Sequence, residues 1–337
     1  MFFALTDDQR EFGTAVTTYL AERFDLDAVR GVVEDTAGDG HPVALWKAAG
    51  EQGWLAVTVP EEHDGLGLGL VEAQVIARAL GAGVAPGPWR GTVLAAEAIR
   101  LAGSAEQQAA WLPRLAAGEA VGALSLRAPG AAVEYAGIAD VVVVRSGDGL
   151  ALVERGGFTA QAAGSYDGTT RLATVTVDGA GEPLPGADAA AIADLTARAT
   201  VLVASDLAGV AREAITRTVA YDREREQFGV PVGSFQAIKH ALADLHVGVT
   251  MAEHAVLYAA HAAGTGAEDA DLAVAVAKAK ASDAAAAATA AMIQYHGGIG
   301  YTWEHEAHLF YKRAKRLAGQ YGDADAQRER IATLTIG

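Results

Sequence analysis

A chain of 337 residues, 51% of them hydrophobic, is long enough for one large core or two to three smaller ones. The lack of cysteine excludes disulfides and thiolate metal sites, and a net charge of −16 argues against nucleic acid or an anionic membrane as the main partner. No apolar run is long enough to cross a bilayer and the start, Met1-Phe2-Phe3-Ala4-Leu5-Thr6-Asp7-Asp8, has no basic leader region, so a soluble cytoplasmic protein is expected.

Thr6-Asp7-Asp8-Gln9 reads as a capping box, and Phe12, Val16, Tyr19 and Leu20 follow at helical spacing, which predicts an amphipathic first helix. Gly and Pro bound further helices over 42–52, 70–81, 92–103 and 105–117, giving a helical domain at 1–118. The pattern then changes. Short β-rich runs at 139–144, 150–153 and 172–177, separated by Gly and Asp, predict a small β domain within 119–188, closed by a Gly- and Pro-rich linker at 178–188. A third domain, 189–337, starts with a long helix over 189–221. A second helix is expected over 232–263, with Phe235, Ile238, Leu242, Leu245 and Val249 on one face. After a turn at 264–266, a third returns over 269–295. The Ala-rich stretch 284–291 reads as a closely packed helix, because charged and large residues flank it at helical spacing.

Two motifs sit at the edges of these helices. In Arg225-Glu226-Gln227-Phe228-Gly229-Val230-Pro231, leading to Phe235-Gln236, a guanidinium projects where the chain turns and a new helix begins, a place to hold a phosphate. Pairing with Glu224 or Glu226 is the alternative for Arg225, and core packing the alternative for Phe228 and Phe235. In Gln294-Tyr295-His296-Gly297-Gly298-Ile299-Gly300-Tyr301, an amide precedes glycines that let a ligand approach the backbone. An internal hydrogen bond for Gln294 and a helix cap for the glycines are the competing readings. Arg223, Arg225, Lys239, Lys312, Arg313, Lys315 and Arg316 cluster near the motifs or lie on solvated helix faces. His240, His254, His261, His296, His305 and His308 do not repeat a closed ligand set, so no metal is expected.

The two motifs, their order, Ile238-Lys239-His240-Ala241-Leu242-Ala243-Asp244 between them and Lys312-Arg313-Ala314-Lys315 after them resemble the acyl-CoA dehydrogenase family. The amino-terminal third agrees: Gly53-Trp54-Leu55 with 59–65 resembles the family's entry to its third or fourth helix, and 107–119 its approach to the middle domain. The likeness thins between about Leu126 and Asp188. It implies a mostly α fold with a small β domain and a carboxyl-terminal helical bundle. It also implies FAD as cofactor, and contacts to its pyrophosphate and adenosine from Arg225, Phe228, Gln236, Gln294, Gly297 and Gly298.

Against that pattern, parts are missing. The family's flavin-ring loop corresponds here to 124–133, which reads as collapsed, with a shortened strand after it; Asp167-Gly168-Thr169-Thr170-Arg171 resembles a later strand. The family's catalytic glutamate has two known locations, and this chain has Ala199 at one, beside Arg198, and Gly322-Asp323 at the other. Asp323 reads either as a shorter substitute base or as a helix cap, and Asp206 as a carboxylate bonded to a neighbouring helix. Because the resemblance assigns the retained contacts to a flavin bound by the neighbouring subunit, it implies the non-catalytic half of a heteromer, partnered by a full-length paralogue that supplies ring loop, base and most of the acyl-CoA pocket. Such heteromers resemble the α2β2 enzymes of actinobacterial sterol side-chain degradation. A self-sufficient homo-oligomer using Asp323 and a flavin-free scaffold are the two other expectations.

Overall fold

The computed structural model describes residues 4–127 and 130–337. Met1 to Phe3, part of the segment read as lacking a leader, and Ala128 and Pro129, part of the segment read as a collapsed loop, lie outside the described residues.

In chain order the helices are α1 (Asp7–Arg23), α2 (Leu26–Glu34), α3 (Val43–Glu51), α4 (Leu70–Ala82), α5 (Trp89–Ala102) and α6 (Ala105–Ala116). Seven strands follow: β1 (Gly122–Ser125), β2 (Ala132–Glu134), β3 (Val141–Ser146), β4 (Gly149–Glu154), β5 (Phe158–Ala163), β6 (Leu172–Val177) and β7 (Glu182–Pro183). Then come α7 (Ala189–Glu224), the short pair β8 (Glu226–Gln227) and β9 (Val230–Pro231), α8 (Gln236–Thr265), α9 (Ala270–Tyr295), α10 (Ala307–Ala318) and α11 (Ala324–Ile336). The fold is mostly helical with a small β region, as expected. Among the described residues no helix is long and apolar enough to cross a membrane.

The capping box forms: Thr6 Oγ1 accepts from the Gln9 amide, and the Gln9 side chain accepts from the Thr6 amide. A second, Ser104 with Gln107, starts α6. Some expectations need correction. The stretch 178–188 is not a free linker, since β7 pairs with β4 and Leu184 is buried. Asp167 to Arg171 is a turn before β6, in which Asp167 Oδ1 accepts from both the amide and the hydroxyl of Thr169. The turn at 264–266 begins later, because α8 continues to Thr265 and ends on Gly266 at φ 66°.

The chain divides into two compact units. One comprises residues 27–73 and 86–199. Its larger sheet has strand order β1-β3-β4-β7, with β1 and β3 parallel, and its smaller sheet the order β2-β6-β5. β3 explains why its valines run without a break. Val141 and Val143 pack with Ile99, Trp111, Leu112 and Leu115 of the helices, while Val142 faces Val133, Ala173 and Val175 of the smaller sheet. Buried on both faces, the strand shows no polar alternation. Arg171 staples this unit by donating to the carbonyls of Val32, Asp35, Gly38 and Gly168.

The other unit comprises residues 1–26, 74–85 and 200–337. α8 and α9 lie side by side, and small residues Ala281, Ala285 and Ala288 line the buried face of α9 with Met292. α4 and α7 cross at two glycines: a Cβ on Gly81 would stand 2.2 Å from the Asp206 carbonyl oxygen, and one on Gly209 2.0 Å from that of Arg78. Only glycine permits this approach. The buried Asp206 carboxylate takes two bonds from Arg313, at 2.9 and 2.7 Å, and Arg313 also donates to Ala85 O. Asp206 is thus bonded to a neighbouring helix as expected. Arg313 is removed from the list of basic groups open to a phosphate.

Candidate functional site

The last turn of α7 positions Arg225. Its amide donates to Tyr221 O at 2.8 Å, and its carbonyl accepts from Val232 at 2.8 Å, so the segment 226–231 returns on itself as the β8–β9 hairpin. Gln227 and Val230 close the hairpin, which leaves Phe228 (φ 56°) and Gly229 (φ 79°) as a two-residue loop with both residues left-handed. Such a loop matches the twist of a hairpin but is taken mainly by Asn, Asp and Gly. A phenylalanine there carries backbone strain, and its ring is 93% exposed. It touches Phe235 edge-on, with centroids 6.3 Å apart. The core alternative for Phe228 is therefore overturned.

Arg225 is exposed and forms no ion pair among the described residues, so the alternative of pairing with Glu224 or Glu226 is not realised. Gln236 is the exposed first residue of α8, a 30-residue helix whose start has no side-chain cap. That leaves amides and the positive end of the helix macrodipole facing outward. At the far side of the hairpin of long helices, Gln294 lies exposed in the last turn of α9 and its side chain makes no internal hydrogen bond among the described residues. Gly297 follows at φ 64°, in the position that commonly ends a helix, so the cap reading holds for it. At both Gly297 and Gly298 a Cβ would meet nothing within 4 Å.

His296 joins the two motifs. Its buried ring stacks on Tyr221 at 4.4 Å and lies 4.4 Å from His305, and its Nδ1 donates to Met292 O at 2.7 Å. Burial holds it below the ordinary histidine range, the Met292 bond opposing and His305 adding to the shift. His296 is thus a spacer between Tyr221, whose carbonyl accepts from the Arg225 amide, and Gly297. Nothing in the spacing of histidines signalled this; the Tyr-His contact is made between residues 75 apart.

The expected base positions are plain. Ala199 is fully buried, and Arg198 beside it binds Glu97 and Asp194. Burial would raise the Glu97 carboxyl, but hydrogen bonds and charges of Arg100 and Arg198 outweigh it and hold Glu97 below the usual carboxylate range. A carboxylate so clamped is a poor proton acceptor. Asp323 is exposed and caps α11, its Oδ1 accepting from the Ala326 amide at 2.9 Å. Of the other basic residues, Lys312 lies 4.1 Å over the Trp303 ring and Lys315 5.3 Å over Tyr311.

The profile described as "Acyl-CoA dehydrogenase, N-terminal domain" matches residues 6–119, and "Acyl-CoA dehydrogenase, C-terminal domain" matches 190–334. Acyl-CoA dehydrogenase IpdE2 of Mycobacterium tuberculosis is 37% identical over 313 residues, covering 91% of each chain. Its namesake in Mycolicibacterium smegmatis is 36% identical, over 96% of this chain and 98% of its own. Among solved structures, the Tcur3481-Tcur3483 steroid ACAD G363A variant matches with TM-score 0.88 and 27% identity, over 98% of both chains. The ChsE4-ChsE5 complex from Mycobacterium tuberculosis matches with TM-score 0.90 and 25% identity, over 99% of this chain and 98% of that one. With two profiles covering its ends and relatives aligned along nearly its whole length, the chain belongs to the acyl-CoA dehydrogenase family.

Proposed function

We propose that this chain is one subunit of a heteromeric, FAD-dependent acyl-CoA dehydrogenase. It lends the pyrophosphate and adenosine half of a flavin site to a paralogous partner, which supplies the ring loop and the base. The division into 1–118, 119–188 and 189–337 belongs to the same proposal. The carrying observation is Phe228, held in a strained left-handed turn with its ring almost wholly in solvent beside an unpaired Arg225. Exposed apolar surface and backbone strain in one residue are offset only when another molecule covers them.

The residues present fit the cofactor half in question. Arg225 would pair with a phosphate and Gln236 would present its amide at the open start of α8, where backbone N–H groups favour an anion. Gln294 would hydrogen-bond at the far side, with Gly297 and Gly298 leaving room for close approach. When bound, FAD would accept the hydride from the β-carbon of an acyl thioester. This chain offers no unclamped carboxylate at its family positions: Ala199 has none, and Asp323 caps a helix. A partner base follows, and an isolated chain inactive by itself. The similar structures Tcur3481-Tcur3483 and ChsE4-ChsE5, each named for two components, support a paralogous partner, and the first, called a steroid ACAD, supports a steroid-derived acyl-CoA as the substrate class to try first.

The test is Arg225→Ala in the complex co-purified with the paralogue, reading flavin released on dilution. Loss of a charge-assisted bond predicts retention weakened by about 1.5–3 kcal/mol, roughly 10- to 100-fold. Unchanged retention would sink the half-site.

A further inference from the structure

One residue beside the proposed half-site remains unexplained by it. Asp222 lies in the last turn of α7, 1% exposed, and neither carboxyl oxygen has a hydrogen-bond partner or access to solvent. Its chain neighbours behave in the opposite way: residues 223–231 are all exposed. The turn that follows the hairpin, Val232–Ser234, packs against Asp222. A Cβ on Gly233 would stand 3.0 Å from Asp222 O and 3.4 Å from Asp222 Cβ. The site is also the carbonyl end of a 36-residue helix, where a negative charge is unfavourable.

Burial of an unbonded carboxyl in such a place favours the neutral acid over the carboxylate. Charged groups that could change this are Arg223, Glu224 and Arg225 on α7, Glu226 in the hairpin, Lys239 and His240 in the first turns of α8, and His296 and His305 beyond Tyr221. None of them acts on Asp222; burial alone pushes its carboxyl up to about 6 from 3.8.

We propose that Asp222 is a proton-linked positioning residue for the segment from Arg225 to Gln236: the hairpin closes over the neutral acid, and loss of the proton opens it. The closed hairpin binds the proton more tightly than the open one. Closure is therefore most favoured below the ordinary Asp range and weakens as pH rises towards about 6, above which the penalty is complete. The consequence for flavin, that Arg225 and Phe228 lose their set positions at higher pH unless a partner covers them, rests on the half-site reading.

The experiment is amide hydrogen exchange of residues 226–235 in the full chain, wild type against Asp222→Asn at matched pH from 4.5 to 7.5, with α9 amides reporting that both remain folded. The ratio of wild-type to variant opening should climb by roughly 25-fold between pH 4.5 and pH 7.5 and level off above about pH 6.5. A flat ratio, or a variant that opens more than wild type at pH 7.5, overturns the proposal. Should Asp222→Asn not fold, Asp222→Thr replaces it with the same expectation. Flavin retention of the co-purified complex is read across the same pH range. A hairpin step without any matching change in retention upholds Asp222 and counts against the half-site.

Discussion

Single residues carry conflicts that composition alone does not display. Lys278 is fully buried on α9, and its Nζ donates to Ser282 Oγ, Ala318 O and Gly322 O at 2.9–3.0 Å. Burial pulls it down to about 8 from 10.5, and Asp323 opposes that shift. Between those values the unfolded chain binds more protons than the folded one, so stability should rise with pH from about 8 to 10.5, by at most about 3 kcal/mol. Below pH 8 the full cost of holding the cation is present. Urea unfolding from pH 7 to 10 should show this gain in wild type and not in Lys278→Met; the same slope in both would remove Lys278 as its source. Phe228 makes the converse case. Phe228→Gly removes a left-handed non-glycine residue and should stabilise the isolated chain by about 1 kcal/mol, while weakening flavin retention in the complex. Thermal unfolding beside flavin release separates the two effects.

Among the elements, the α4–α7 crossing is the most constrained. Gly209→Ala would place a methyl 2.0 Å from the Arg78 carbonyl, a backbone atom that cannot swing aside. The helices must separate, which strains the Asp206–Arg313 pair that α7 shares with α10. A loss of about 3 kcal/mol is expected in denaturant unfolding, the upper end for overpacking. A loss below 0.5 kcal/mol would mean that the crossing is loose. This crossing also marks what the sequence concealed. Gly81 and Gly209 stood inside helical patterns with nothing to say that they meet, whereas helices with long apolar periodicity, such as α7 and α9, were legible to within a few residues. The strands missed, β1, β2, β5, β7, β8 and β9, are short or exposed, and pairing with a neighbouring strand rather than local preference makes them strands.

For the whole molecule, exposed apolar residues are scattered over the surface, Val43, Tyr166, Val247 and Ile336 among them, and Phe228, Ile299, Tyr301 and Trp303 are those at or beside the two motifs. In the heteromer proposed above, the surface at the motifs should tolerate charge in the isolated chain and not in the assembly. Tyr301 is 87% exposed, so Tyr301→Glu should change the stability of the chain by no more than about 0.5 kcal/mol yet abolish co-purification with the paralogue. Light scattering on the co-expressed pair decides it; a complex of wild-type mass would place the interface elsewhere. A net charge of −16 adds that assembly, where it buries acidic surface, should strengthen with salt.

What the sequence determined by itself is what local chemistry and order along the chain encode: helix periodicity, the capping box at Thr6, the β-rich middle, and the two motifs whose spacing carries the family resemblance. The tertiary structure decided which of the motif residues are free. It set Arg313 in an ion pair with Asp206, Asp323 on a helix end and Asp222 against the turn that follows a hairpin. It left Arg225, Gln236 and Gln294 open. The reason is physical: whether a charged or polar group is exposed, clamped or orphaned depends on neighbours distant in sequence, and no spacing along one helix reports them.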